Sequence, residues 1–518
     1  MENSQINHAL NSYPNTTNYS ATQLILPLDC GVLIEENDPV RSFCELMEGV
    51  NLTTFIRKPG KGRHDYEDLT LIRILLFATM NQITSLRDIE AACRNDLRFI
   101  WLGQGIRPSH MTFQRLITER LYGRIEDLFI AINRHLIAKE KIATEILYID
   151  GTKFEANATK NSFVWKKAVL KFREKLYLKI SKFYTSLGLE TQKTYTAEDL
   201  LPLRTALLKD CQDQKIEFVN GKGNHRTELQ KQYDTVKAYH EKLQEYETHL
   251  AIFQDRNSYS KTDWDATFMH MKEDYYMRTG IFKPGYNVQL GVSDEYVLLA
   301  KTFPNPTDTL TFIPFMESFK KAYGFYPNIP VGDAGYGSYD NYLFCLGQGM
   351  ELFLKYNYYE AEKHGKKESL IYQSKAMRQA DGSLRCPQGK GFVFERFELN
   401  EEGRYPKLIH HYQAEDCTDC PVANLCKKKE GNRKIALNPV LYELQDQAKA
   451  NLDSPRGIEL RVNRSIQSES TFGILKYNWG KQRFTRRGKE NVENELYLLV
   501  IGFNLMKYHQ KKLRKKLN

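Results

Sequence analysis

The chain lacks any apolar run long enough to span a bilayer. Its longest, Leu496 to Met506, is interrupted by Gly502 and Asn504, and a membrane span needs about 20 residues. The first thirty residues are rich in Asn, Ser and Thr, with no basic start and no small-residue cleavage site. They read as a partly disordered, unprocessed N-terminus (1–36) and not as a secretory signal. A paired-cysteine framework is missing too. Of nine cysteines, five are scattered (Cys30, Cys44, Cys93, Cys211, Cys345) and four gather late, which argues against a small secreted disulfide scaffold. The expectation is a cytoplasmic, bacterial-type protein with no membrane partner.

What is present is an ordinary soluble composition over 518 residues, 41% hydrophobic and 27% charged. That length accommodates two to four domains. The formal charge is +10, which favours a polyanionic partner. The excess is uneven: Lys476 to Asn518 holds twelve Lys or Arg against three Glu. Phosphate contacts there would weaken steeply with salt. Arg483, Arg486 and Arg487 are the stronger DNA-binding candidates. Residues 507–518 form a basic tail, for whose Lys511 to Lys516 simple solvation is the competing reading.

Residues 37–140 read as helical. Ser85-Leu86-Arg87-Asp88 has the form of a capping box, opening a helix with Ile89, Ala92 and Cys93 on its apolar side. Pro108-Ser109 opens another, with Met111, Phe113, Leu116 and Ile117 inward and Arg107, Gln114, Arg115 and Arg120 outward. Short helices with a basic face suit a helix-turn-helix-like DNA-binding module, here through Arg107 and Arg115. A plain bundle with solvated charges fits the same pattern.

Residues 145–150 read as a buried strand. Residues 160–260 then interrupt with polar helical sequence. Val169, Phe172, Leu176, Ile180 and Phe183 form one stripe; Leu229, Tyr233, Val236, Tyr239, Leu243, Tyr246 and Leu250 form another. Two stripes predict an antiparallel helical hairpin. Strands resume as a hairpin, Tyr286–Val292 and Tyr296–Phe303, turning at Ser293-Asp294-Glu295. A helix over Asp308–Tyr323, a strand over Pro327–Gly332 and a short strand over Glu351–Lys355 follow. This order matches an α/β, ribonuclease-H-like mixed sheet over residues 141–506. In that fold the first and fourth strands are neighbours, so Asp150 and Asp333 would meet.

Asp150 and Asp333 each follow an apolar run, and Glu469 lies on a probable helix. Lys476, seven residues on, is about two turns away on the same face. Cleaving a nucleic-acid strand needs in-line attack at phosphorus, and two cations can stabilise the attacking and leaving oxygens. Hard carboxylate donors suit Mg²⁺ or Mn²⁺. Asp150 is assigned as bridging ligand, Asp333 and Glu469 as ligands of one metal each. Lys476 and Arg464 would orient phosphates. Any one such Asp taken singly reads as a turn or cap residue; the case rests on three together.

A second candidate metal set is Cys386, Cys417, Cys420 and Cys426, in an insert over residues 357–440. Four soft ligands suit a structural Zn²⁺. Unmetallated thiols are the competing reading. Lys427-Lys428-Lys429 and Arg433 lie within the same insert.

Asp150-Gly-Thr-Lys-Phe-Glu-Ala-Asn-Ala158, Asp263 to Lys272, Lys283-Pro-Gly-Tyr-Asn-Val-Gln289, Asp333-Ala-Gly-Tyr-Gly337 and Arg464 to Gly488 together resemble the motifs of bacterial insertion-sequence DDE transposases. The resemblance is greatest to the insertion-sequence family numbered eleven-eighty-two and runs from about residue 37 to 510. It implies binding of terminal inverted repeats in double-stranded DNA, hydrolysis of one strand, and attack of the freed 3′-hydroxyl on target DNA. It also implies a homodimer in the DNA complex, because two ends must be paired. One departure stands out. Related transposases carry Arg four residues before the Glu; here that position is Ser465, and Arg464 lies one earlier, leaving Arg461 as an alternative. A metal-dependent endonuclease or resolvase without strand joining, and a catalytically silent DNA-binding relative, are the other readings.

Overall fold

In the computed structural model, residues 30–56, 66–219, 221, 225–272, 280–364, 371–379 and 381–517 are described. Most of the expectation for 1–36 therefore lies outside them; residues 30–36 begin with a helical turn, Cys30–Leu33. Among the described residues no helix is long and apolar enough to cross a membrane.

The central element is a six-stranded mixed sheet. Its strands are β1 (Ile146–Glu155), β4 (Thr267–Met271), β5 (Ile281–Ser293), β6 (Tyr296–Phe303), β7 (Ile329–Gly337) and β8 (Phe353–Tyr356). The order is β4-β5-β1-β7-β8, with β6 also on β5. β1 pairs antiparallel with β5 and parallel with β7, so the first strand and the one bearing Asp333 are neighbours, as the strand order predicts. The apolar run in β1 explains its centrality: Leu147 and Ile149 are fully buried and Tyr148 nearly so.

The hairpin of β5 and β6 turns through Asp294 and Glu295, both at positive φ (47° and 64°). Left-handed residues other than Gly are costly unless neighbours hold them. Here Asp294 Oδ2 accepts from Ala143 N (3.0 Å), Lys507 Nζ donates to Glu295 Oε2 (2.9 Å), and Glu295 N donates to Gln467 Oε1 (2.8 Å). The turn thereby ties the sheet to the helix carrying Glu469 and to the C-terminal helix.

That C-terminal helix, Lys489–Leu517, corrects the reading of a separate basic tail. It runs unbroken through residue 507 and shares one continuous core with the N-terminal helices and the sheet. Buried Asn504 is its polar hub, bonding Asn133 Oδ1 (2.9 Å) and both backbone groups of Val297 (2.8 Å each). Its basic end is paired: Lys512 with Glu45, Lys515 with Glu140 (2.9 Å), and Lys516 with Glu36 (3.4 Å).

The N-terminal region is helical as read. Ser85 caps its helix from Asp88 N, and Ile89, Cys93, Phe113, Leu116 and Ile117 are buried. Two outward/inward assignments differ. Met111 is exposed, and Arg120 turns in to a buried partner, Asp68, at 2.6 Å.

The insert at 160–260 leaves and re-enters through a two-stranded ladder, β2 (Phe163–Trp165) against β3 (Ser258–Ser260). It holds three helices, Lys166–Ser186, Ala197–Asp213 and Glu228–Phe253, around its own core, and not the hairpin read from two stripes. The additional, middle helix starts at a reciprocal capping box, Thr196 with Asp199. It buries Leu200, Leu207 and Cys211, a stripe too sparse to announce itself. The cysteine-rich insert folds as a three-stranded sheet of β9 (Phe392–Asn400), β10 (Lys407–Ala414) and β11 (Lys434–Leu437).

Candidate active site

The last parallel pair between β1 and β7 is Tyr148 with Val331. Asp150 and Asp333 each stand two residues beyond that last pair, on neighbouring strands, close enough for the Asp333 charge to act on Asp150. Both lie inside their strands, where sequence reading put them at strand ends. Asp150 is only 16% exposed. Burial pushes its carboxyl up to about 6; Arg464 opposes this, while the negative charges of Asp333 and Glu469 reinforce it. Its Oδ1 accepts from Gly151 N (2.9 Å). Asp333 Oδ1 accepts from Gly335 N (2.8 Å).

Glu469 rides on a helix that begins at Pro455, capped by Ser454, whose Oγ accepts from Gly457 N at 3.0 Å. The helix widens into a π turn at Ser465–Glu469, tightens over Ser470–Gly473, and widens again at Ile474–Asn478. A π turn bonds i to i+5, so residues five apart stack above one another. Arg464 Nη2 accordingly lies 3.1 Å from Glu469 Oε1, and Nη1 lies 3.5 Å from Asp150 Oδ2. The one-residue departure in sequence is absorbed by the π turn. Ser465 Oγ donates to Glu469 Oε2 (2.9 Å). Lys476, in the second π turn, donates to Thr152 Oγ1 (2.6 Å) and Lys153 O (2.8 Å), just past Asp150. Arg461 sits over the Tyr359 ring at 5.5 Å, away from the carboxylates that Arg464 joins.

Sequence reading missed a polar layer on the other face of β1. Asn287 and Gln289, buried on β5, donate to Asp308 Oδ1 at 2.8 and 2.7 Å. Gln289 Oε1 accepts from the buried Tyr336 hydroxyl. Burial raises the Tyr336 phenol, and Asp308, Asp150 and Asp333 raise it further. The available signal was the polar Asn287 and Gln289 alternating with Tyr286, Val288 and Leu290 in a strand paired on both edges. Asp308 itself precedes a helix that starts only at Phe312.

The basic residues after Lys476 flank the far end of β1. Glu155 N donates to Gln482 O (3.0 Å) and Phe484 N to Glu155 O (2.9 Å). Arg483 and Arg487 are exposed, and Arg487 Nε donates to Asn157 O (2.6 Å). Arg486 and Arg483 line a cavity of about 420 Å³ with Gln114, Thr84 and Trp479, between the N-terminal helices and this segment. Arg107 and Arg115 are exposed on the N-terminal helices. Asp263, from the second resemblance motif, is structural: it is buried, accepts from Tyr286 Oη (2.9 Å) and Gly488 N (3.2 Å), and so anchors the segment's end.

Cys386, Cys417, Cys420 and Cys426 all line one cavity of about 220 Å³. Lys390 N and Arg433 N donate to the sulfurs of Cys386 and Cys417, each at 3.3 Å. Burial raises the Cys426 thiol; Arg433 lowers it, and the other three thiols raise it.

Among the described residues no three His, Cys, Asp or Glu side chains stand as a ready metal-holding group. At the carboxylates the Arg464 guanidinium lies between Asp150 and Glu469. The donor set is nevertheless suited to a hard divalent cation: all-oxygen, rich in negative charge, with Asp150 held above its ordinary range by burial and by the neighbouring carboxylates despite Arg464. Glycine at 151 and 335 leaves space where a Cβ would meet Asp308 Oδ1 at 2.7 Å and Asp333 Oδ1 at 3.1 Å.

Residues 385–509 match the family model of a transposase DDE domain. Residues 29–119 match that of a transposase domain (DUF772). The first match takes in the four cysteines, Glu469 and Lys476; the second takes in Arg107 and Arg115; Asp150 and Asp333 lie between them. No curated protein matches the chain.

Proposed function

We propose that the chain is an insertion-sequence DDE transposase, which both family matches fit, and that it cuts transposon ends and joins their 3′-hydroxyls to target DNA at Asp150, Asp333 and Glu469. The observation carrying this is that Asp150 and Asp333 stand on adjacent parallel strands, each two residues past the last pair between them, with Glu469 tied to Asp150 through Arg464. Asp150 would hold both of two Mg²⁺ or Mn²⁺ ions, Asp333 one and Glu469 the other. Such ions supply charge stabilisation for the attacking and leaving oxygens of an in-line substitution.

The chain's own groups supply position. Arg464 and Lys476 bracket Asp150 from two turns of one helix and can each take a non-bridging phosphate oxygen. The scaffold holding them is stiff, since that helix is bonded to the hairpin turn through Gln467. Exposed Arg483 and Arg487 extend the basic surface along the β1 end, and Arg107 and Arg115 offer a second one on the N-terminal helices. Phosphate contacts of this kind position DNA without reading its sequence. Pairing two transposon ends calls for two copies of the chain.

The four thiols we read as a tetrahedral structural zinc site. Their support is a shared cavity and the two backbone N–H groups directed at sulfur. Elemental analysis should give one zinc per chain, lost in Cys417→Ser/Cys420→Ser; a zinc-free, folded wild type would refute it.

The test of the reaction uses DNA carrying the inverted repeats that flank the gene. The wild type with Mg²⁺ or Mn²⁺ should nick the ends and join pre-cleaved ends to a target, and Asp150→Ala, Asp333→Ala and Glu469→Ala should do neither. Cleavage without joining would reassign the chain as an endonuclease. Equal cleavage by the Asp150 variant would remove the site.

A further inference from the structure

Asp308 stands among the catalytic groups without a role in the three-carboxylate scheme. It lies in the segment between β6 and the helix Phe312–Tyr323. An aspartate just before a helix is ordinarily a cap, its side chain accepting from the first turn's N–H groups. Asp308 does not serve in that way. Thr311 is the residue at the cap, and it makes no side-chain cap bond. Only the Asp308 backbone carbonyl bonds toward the helix, accepting from Thr311 N (3.0 Å) and Oγ1 (2.8 Å).

The side chain turns back to the sheet. Oδ1 is fixed by two amides, Asn287 Nδ2 at 2.8 Å and Gln289 Nε2 at 2.7 Å. These are neutral donors, so they orient the carboxylate without neutralising it. Among the described residues no Lys or Arg nitrogen comes within ion-pair distance of it, although it acts on the Lys153 ammonium from farther off, and Oδ2 accepts no hydrogen bond there. The segment is itself pinned onto β7: Thr309 Oγ1 donates to Gly335 O (3.0 Å), and Asn341 Nδ2 donates to Thr309 O (3.0 Å) and Tyr336 O (2.7 Å).

Oδ2 lies beside Gly335. A Cβ placed on Gly335 would lie 3.3 Å from Asp308 Oδ2 and 3.1 Å from Asp333 Oδ1. One oxygen of each carboxylate therefore borders the Cβ position of Gly335. A Cβ on Gly151, next to Asp150, would lie 2.7 Å from Asp308 Oδ1 and 2.2 Å from Gln289 Nε2. Each catalytic aspartate is thus followed within two residues by a glycine that lets Asp308 approach. Glu469 arrives on the Tyr148–Asp150–Thr152 face of β1, and Asp308 arrives from the Gly151 face.

We propose that Asp308 is a fourth carboxylate of the reaction centre, sharing with Asp333 the hold on one divalent cation through its Oδ2. This rests on the two-cation reading above. One oxygen locked by amides and one open toward the neighbouring carboxylate is the arrangement of an oriented metal-holding aspartate. Its position also distributes the work: Asp150 and Glu469 are bridged by Arg464, and Asp308 stands on the Gly335 side of Asp333.

Mn²⁺ binding to the full-length, DNA-free protein tests this, by calorimetric titration and by loss of the free Mn²⁺ electron paramagnetic signal. Asp308→Asn keeps the shape and removes the charge. It should weaken one Mn²⁺ site by roughly 10- to 100-fold, as Asp333→Asn should. Unchanged Mn²⁺ binding by Asp308→Asn, with Asp333→Asn weakened, overturns the role of Asp308 alone. No Mn²⁺ bound by the wild type overturns the two-cation reading with it. Should Asp308→Asn not fold, Gly335→Ala, which crowds both oxygens without removing either, must still weaken that site. Wild-type Mn²⁺ affinity in folded Gly335→Ala overturns the proposal.

Discussion

Arg464 and Glu469 are five residues apart and in contact at 3.1 Å because a π turn lies between them. In a regular α-helix the matching position would be Ser465, four before the Glu. Exchanging the two residues, Arg464→Ser with Ser465→Arg, therefore gives the spacing of the transposases that the sequence resembles and breaks the geometry seen here. An arginine at 465 can still reach Glu469 but leaves Asp150. Strand cleavage should fall roughly 100-fold, as for a displaced positioning group. A gel assay on end-sequence DNA reads this, and wild-type cleavage by the double variant would show that the π turn has no functional part.

The Asp150 carboxyl, raised to about 6 in the fold, makes a stability statement of definite sign. The folded state holds this proton more tightly than the unfolded chain, whose Asp titrates near 4. Its contribution is full below about pH 4 and is lost as pH rises through about 6. Above that the ionised, buried group is a net penalty of up to about 3 kcal/mol, since each tenfold change in proton affinity is worth about 1.36 kcal/mol. Asp150→Asn should thus abolish cleavage yet raise the Tm of metal-free protein at pH 8. The gain should vanish by pH 4. Thermal melts at the two pH values decide it, and a Tm lowered at pH 8 would contradict the electrostatic account.

Tyr336 joins β7, the strand of Asp333, to the polar layer beneath it. Its hydroxyl donates to Gln289 Oε1, and Gln289 Nε2 in turn donates to Asp308. Tyr336→Phe leaves a buried amide oxygen unpartnered, which costs about 1–3 kcal/mol. Chemical denaturation should show that loss with an unchanged slope. Cleavage should fall with it, since Gln289 is then free to rotate; full activity with full stability would mean the layer is passive.

How much of this was legible depends on the range of the interaction. β1 and β7 could be read because Leu147 to Ile149 and Ile329 to Val331 are apolar runs ending in an Asp, and the sheet order follows from strand succession. The middle helix of the first insert could not: Thr196 announces a start, but Pro202 within it and a sparse stripe conceal its length. Arg464 looked misplaced because spacing arguments assume one helix pitch. Asp308 looked like a helix start because its side-chain partners, Asn287 and Gln289, lie on a strand whose pairing sequence does not display. The basic C-terminus was weighed between DNA and solvent, when its acidic partners Glu36, Glu45 and Glu140 lie in the N-terminal third of the chain.

That last point separates two classes of basic residue that composition treats alike. Lys512 and Lys515 are paired with Glu45 and Glu140, and the Lys512 hydrogen bond leads in holding the Glu45 carboxyl down at about 2. Arg483 and Arg487 instead stand exposed beside the β1 end, where their side chains meet Glu155, Asn157 and its carbonyl among the described residues. Replacing Lys512 and Lys515 by Met should lower Tm modestly, because partly exposed pairs contribute about 0–1 kcal/mol each. It should leave the salt dependence of DNA binding unchanged. Arg483→Ala and Arg487→Ala should do the reverse, each reducing the slope of log K against log salt by about 1 while leaving Tm in place. Fluorescence anisotropy across a salt series, run beside thermal melts, measures both quantities on the same four positions. A slope that falls with the lysine pair and not with the arginines would return the DNA contact to the C-terminus.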